Sequence, residues 1–250
     1  MDLGLDGRVA LVLGASQGLG RAIAQSLARE GARVAISSRS SEKLERVVAE
    51  TDGELAVFPA DTGELERMRE LPGEVAAALG PVEILVTNTG GPPPGGALEH
   101  EVEEWEEAFR SLVLAPRLLI EGVLPGMRER GWGRIVNVGS RSTKEPIPSL
   151  NLSNANRMAA VGFFKTLSQE AGGDGVTVNT VATGLFATQR LADNFGSIEQ
   201  AEEAAKGEVP AGRLGRPEEY GDLVAFLCSE RAAYINGTVV PIDGGALRSL

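Results

Sequence analysis

What most constrains this chain is its rhythm. Short runs rich in Val, Ile and Leu alternate with longer helix-period stretches along its whole length. Arg8 to Leu13, Arg33 to Ser37, Leu55 to Phe58, Ile84 to Thr87, Arg134 to Val138 and Thr177 to Val181 read as strands. The segments between them are long enough for crossover helices. VALVL, EILVT and RIVNV are apolar nearly throughout, as befits strands buried on both faces of a parallel sheet. The alternation predicts a doubly wound α/β fold with helices on both faces, right-handed crossovers, and ligands at the carboxyl ends of the strands. The 250 residues suit a single domain spanning 1–250, and no repeat, low-complexity tract or linker divides it.

Composition removes several classes of function. A net charge of -11 with no basic stripe argues against a nucleic-acid partner. The acidic run Glu99 to Phe109 reads as a solvated helix face. The single cysteine, Cys228, lies in the apolar stretch YGDLVAFLCSE and reads as a core thiol. With His100 as the only histidine, a catalytic triad or a histidine-rich metal site is not expected. The N-terminus runs straight into a strand, without the basic start of a signal peptide, and no apolar run reaches membrane-spanning length. A soluble, cytoplasmic protein is expected.

LGASQGLG follows the first strand and opens a helix near Gly18. Gly14, Gly18 and Gly20 permit a tight turn and close approach of backbone to a pyrophosphate, with Ser16, Gln17 and Leu19 between them. The helix N-terminus would then present amides and a positive dipole end to the phosphates. A purely structural turn is the alternative reading. The second strand ends in Ser37, Ser38 and Arg39 with no acid at its tip. Arg39 offers a planar cation to a ribose 2′-phosphate, which favours NADP(H) over NAD(H); a surface arginine starting the next helix is the alternative. GGPPPGG (Gly90 to Gly96) follows the fourth strand, either as a stiff loop or as one facing a cofactor.

Over essentially its full length the chain resembles the short-chain dehydrogenase/reductases, and within them the 3-oxoacyl-carrier-protein reductases. The glycine turn fits T-G-x-x-x-G-x-G with Leu13 for threonine, and Asp61-Thr62 fits the acidic spot that contacts adenine. Asn88-Thr89-Gly90-Gly91 fits N-N-A-G with two changes, and Ile135 to Ser140 fits the strand that delivers the active-site serine. Gly184 and Thr188 fall in the P-G-x-x-x-T segment near the nicotinamide, with Thr183 for proline. Arg213 to Gly245 matches the family's C-terminal segment. The resemblance implies a seven-stranded, mostly parallel Rossmann sheet, a substrate lid near 186–212 and a homotetramer.

The departures fall on the catalytic tetrad that the resemblance implies. Ser140 matches the serine, but Ser153 and Arg157 stand at the tyrosine and lysine positions, and Leu112 at the asparagine. Tyr220 and Tyr234 lie in the C-terminal segment and cannot be moved into register. An aliphatic hydroxyl is a far weaker acid than a phenol and is shorter by a ring. Arg157 could still reach a ribose hydroxyl. Lys144 is the leading substitute proton donor or substrate contact and Arg141 the second, unless both simply face water. Asn154 and Asn156 could hold a water in the tyrosine's place. Two functions therefore stand open: an NADP(H)-linked oxidoreductase acting on a carbonyl such as a 3-oxoacyl thioester, and a nicotinamide-binding pseudoenzyme serving as redox sensor or assembly subunit. Dehydration or isomerisation in the same pocket is a third.

Overall fold

The computed structural model describes residues 1–249. Its strands are β1 (Val9–Leu13), β2 (Arg33–Ser37), β3 (Leu55–Val57), β4 (Ile84–Thr87), β5 (Gly133–Val138), β6 (Val176–Thr183) and β7 (Val239–Ile242). They form one parallel sheet of seven in the order β3-β2-β1-β4-β5-β6-β7. The six strands read from the sequence all form, two with the same bounds and four with edges moved by one or two residues. The helices are α1 (Gly18–Arg29), α2 (Ser41–Ala49), α3 (Leu65–Leu79), α4 (Val102–Phe109), α5 (Ala115–Glu129), α6 (Asn151–Ala171), α7 (Gln189–Phe195), α8 (Ile198–Glu208) and α9 (Pro217–Leu227).

Period-two alternation splits the strands between two cores. Val9, Leu11 and Leu13 of β1 face the core shared with α3, α5 and α6, together with Leu85, Ile135 and Val178. Ala10 and Val12 face the other core, built with α1, α2 and α9, alongside Ile84, Val86, Val136 and Val181. Both faces are therefore covered, which is why β1 carries no polar residue and β4 only Thr87. Of the buried polar side chains in the inner strands, Thr87 Oγ1 donates to Asn137 Oδ1 (3.1 Å) and Asn137 Nδ2 to Thr180 Oγ1 (3.4 Å), Asn179 Nδ2 donates to the Ile235 carbonyl (2.8 Å), and Thr177 Oγ1 has no partner. Cys228 is fully buried, as its setting predicts.

The stretch from Glu101 to Arg130 is not one regular helix. Between α4 and α5 lies a π-helical turn, Arg110–Leu114. Pro116 lacks the N–H that would bond the Leu112 carbonyl in a regular helix, so the ladder widens there. Among the described residues no helix is long and apolar enough to cross a membrane.

Candidate active site

The chain moves outward from β1 to β2 and β3, then returns to place β4 on the other flank of β1. Connections leaving β1 and β4 therefore part, opening a cleft at their carboxyl ends. Gly14 (φ 60°) sits at its floor, where a Cβ would lie 2.5 Å from the Asn88 carbonyl oxygen and 2.8 Å from its Nδ2. A Cβ on Gly20 would overlap the Gly14 carbonyl and lie 2.6 Å from Asn88 Nδ2. Asn88 Nδ2 donates to the Gly14 carbonyl (3.3 Å), tying β4 to the glycine turn; Thr89 behind it is buried. Exposed Gln17, the residue before α1, gives the helix no side-chain cap, and half-buried Ser16 and Leu19 flank the free end. Amides without acceptors and a surface too tight for any side chain suit a pyrophosphate.

The neighbouring strand end fits the rest of a dinucleotide. Ser38 Oγ is buried with no hydrogen-bond partner, and Arg39 is exposed. The Ala60 amide bonds the Ser38 carbonyl (3.1 Å), which brings half-buried Asp61 and Thr62 alongside. One Asp61 oxygen is occupied by the Gly63 amide (2.9 Å), leaving its partner for a ligand. The group that these residues fit is a nicotinamide dinucleotide.

Beyond the cleft, β5 delivers Ser140. Its Oγ accepts from the Ser142 amide (3.1 Å), so its own proton stays available to a substrate oxygen. Arg157, one turn beyond Ser153 on α6, donates through Nε to Ser153 Oγ (3.1 Å), through Nη1 to the Val138 carbonyl (2.9 Å) and through Nη2 to the Gly90 carbonyl (3.2 Å). Burial first, and the neighbouring Arg190 cation second, pull its pKa down to about 10. Leu112 is buried in the apolar core and offers no polar atom to a water relay.

Two expectations need correction. Asn154 is engaged twice by the Ile147 backbone (3.2 and 2.9 Å), and Asn156 donates to the Leu152 carbonyl (2.9 Å), so both amides serve the local chain rather than a water at the vacated position. Arg141 is ion-paired to Glu208 at the end of α8 and is not a free proton source. Lys144 is exposed on the loop after Ser140, with no partner among the described residues drawing it toward Ser153. Glu145 beside it accepts the Arg248 amide (2.8 Å).

The last wall comes from the segment after β6. Gly184 is required by packing, since its Cβ would meet the Asp243 Cα at 2.5 Å. Thr188 starts α7, accepting the Leu191 amide (3.3 Å), and its methyl would lie 3.4 Å from a Cβ on Gly18, across the cleft mouth. Two residues escaped the sequence reading. Arg190 lies against the Gly90–Gly91 backbone; a basic residue heading an otherwise acidic stretch was the available signal. Tyr220, fully buried, brings its hydroxyl to Thr183 Oγ1 (2.9 Å); burial drives its pKa well up, and the Arg157 charge opposes this. The replacement of proline by Thr183 pointed to a polar partner there.

The comparisons agree with this geometry. Residues 14–246 match the family model described as Enoyl-(Acyl carrier protein) reductase. The chain is 37% identical over 250 residues to dehydrogenase/reductase SDR family member 4 of Bos taurus, covering 98% of this chain and 89% of that one. It is 33% identical to nodulation protein G of Azospirillum brasilense, covering 95% and 97%. Its fold superposes on L-sorbose reductase from Gluconobacter frateurii complexed with NADPH and L-sorbose, with a TM-score of 0.93, 31% identity and complete coverage of both chains. YwfH, an NADPH-dependent reductase involved in bacilysin biosynthesis, gives a TM-score of 0.92 at 28% identity, covering 97% and 99%. With the cradle, the sheet order and these relatives in agreement, the chain belongs to the short-chain dehydrogenase/reductase family of nicotinamide-dependent oxidoreductases.

Proposed function

We propose that this protein is an NADP(H)-linked oxidoreductase interconverting a carbonyl and an alcohol, with a 3-oxoacyl thioester as its default substrate. The observation that carries the reading is the cleft itself: an uncapped helix end and a glycine floor on one side, Ser140 and the Ser153–Arg157 pair on the other. When bound, the cofactor supplies the two-electron chemistry. Ser140 donates its hydroxyl proton as a hydrogen bond to the substrate oxygen and polarises the carbonyl. Arg157, with a pKa of about 10, stays charged at neutral pH. It serves as a fixed positive field and a ribose contact rather than a proton donor. Positioned acid catalysis is worth roughly 10²–10⁴ in rate, so turnover is expected to be slow.

NADP(H) is favoured over NAD(H) by Arg39, exposed beside the buried, partnerless hydroxyl of Ser38. Two solved relatives described as NADPH-bound or NADPH-dependent support the same choice. Residues 186–212 form the substrate lid in this reading, held near the Ser140 loop by the Arg141–Glu208 pair. The protein is taken to be a cytoplasmic homotetramer; exposed Val102, Phe109 and Met158 on α4 and α6 are candidates for the contact between copies.

A second reading, a nicotinamide-binding pseudoenzyme, is favoured by one observation: Leu112 and Ser153 leave neither a water relay nor a phenol at the positions the family uses. Titration of the purified protein with NADPH and, separately, NADH tests both. Tight NADPH and weak NADH binding is expected, and failure of both to bind would remove the oxidoreductase reading together with the pseudoenzyme one.

A further inference from the structure

Two guanidinium groups converge on the backbone at Gly90 and Gly91. Arg157 reaches it from α6 through the bond to the Gly90 carbonyl (3.2 Å). Arg190 reaches it from α7, where a Cβ on Gly91 would lie 3.0 Å from its Cζ and one on Gly90 3.9 Å from its Nη1. Burial and the Arg190 charge both make the Arg157 cation harder to hold, and burial does the same for Arg190. The chain has 35 acidic residues and a net charge of -11, yet neither arginine has a carboxylate at salt-bridge distance among the described residues. Elsewhere acids are placed against arginines freely, as at Arg29–Asp222 (2.6 Å), Arg33–Glu54 (2.8 Å) and Arg213–Glu219 (2.8 Å). The acid that acts on Arg190 is Asp193, already bonded by Gln189 Nε2 (2.8 Å). In so acidic a molecule, an uncompensated cation pair at a cleft mouth is stabilised when an anion arrives from outside.

We propose that Arg157 and Arg190 bind a carboxylate of the substrate, so that the protein acts on small oxo or hydroxy acids in preference to neutral carbonyl compounds. This rests on the oxidoreductase reading and replaces its default thioester with a substrate that carries a free carboxylate. Arg190 supplies the guanidinium fork that matches carboxylate geometry, and Arg157, whose three nitrogens each already serve a protein oxygen, adds its charge; its bond to the Val138 carbonyl, two residues before Ser140, would set the anion near the reacting carbonyl. The cofactor's phosphates are the other anions due in this cleft. Their cradle is the turn from Gly14 to Gly20, where Gly18 meets Thr188, whereas Arg190 lies against Gly90 and Gly91.

The test is calorimetric titration with malonate, an unreactive dicarboxylate, with and without saturating NADPH. Wild type should bind malonate in both conditions. Arg190→Met should weaken malonate by about tenfold or more while changing NADPH affinity less than about twofold, and Arg190→Lys should recover part of the loss. Arg69→Met, which removes an exposed cation of α3 paired to Glu66, should leave both affinities alone. In turnover, acetoacetate should be preferred to its ethyl ester, and Arg190→Met should erase that preference through KM. Failure of wild type to bind malonate, or an equal loss of malonate and NADPH in Arg190→Met, overturns the proposal; the latter would assign the arginine to the cofactor. Malonate binding without any NADPH binding would instead sink the oxidoreductase reading and leave the anion site standing.

Discussion

At Arg157 the shape of the side chain matters as much as its charge. A planar fork lets one group reach Ser153 Oγ, the Val138 carbonyl and the Gly90 carbonyl together. Lysine concentrates its charge on one tetrahedral nitrogen and cannot reproduce that fork. The double variant Ser153→Tyr/Arg157→Lys therefore reports on what the pocket was built for. If only the general acid is missing, the NADPH-dependent rate on a simple 3-oxo ester should rise by about 10² or more. A flat rate with NADPH still bound would mean that the surroundings have been rebuilt around serine and arginine. Ser140→Ala should lower kcat by about 10²-fold on any accepted substrate, with little change in KM, in steady-state assays. Much of this site was legible because glycines at fixed spacing and a serine after a buried strand are local patterns. Arg190 and Tyr220 were not, since they reach the cleft from distant elements and follow no spacing rule. The side chains of Asn154 and Asn156 were misread for a related reason: on a helix, short amides find backbone partners before they find water.

At the scale of elements, the end of α1 meets β4 through atoms that leave no room. The Gly20 position faces the Gly14 carbonyl and the Asn88 amide, and the former is backbone that cannot rotate away. Gly20→Ala should thus force the helix off the strand, costing about 1–3 kcal/mol in urea unfolding and at least about tenfold in NADPH affinity by fluorescence titration. Gly73, on the solvent side of α3 with nothing near its Cβ position, makes the control: the same change there should be neutral or slightly stabilising. The α4–α5 stretch teaches the converse. The acidic helix face from Glu99 to Phe109 was plain from the sequence, but the π-helical turn that follows depends on one missing N–H, that of Pro116, whose consequence falls four residues upstream. That turn sets Leu112 into the core beside α6, where the family resemblance would place an asparagine.

Over the whole molecule, the apolar strands state the fold almost outright, because a strand buried on both faces tolerates few polar residues. The strand order needed the further rule that crossovers are right-handed. The short edge strands β3 and β7 carry the weakest signal because they are only partly covered. The same dense burial governs the response to pH. Enclosure drives the Cys228 thiol up to about 12, with the Arg134 guanidinium opposing the shift, and drives the Tyr220 phenol up as well. Both groups hold their protons more tightly folded than unfolded, so their contribution is complete below the ordinary thiol range. It is lost as the pH rises from about 8.5 for the thiol and from about 10 for the phenol, since the unfolded chain releases protons first. Stability should therefore fall above about pH 9, by up to about 1.4 kcal/mol per pH unit for each such group. Cys228→Ala should make that decline shallower in urea midpoints taken between about pH 8 and 11, beneath a constant loss for the cavity it leaves. An unchanged slope would mean that the thiol is not held neutral by the fold, and that the alkaline loss belongs to Tyr220 alone.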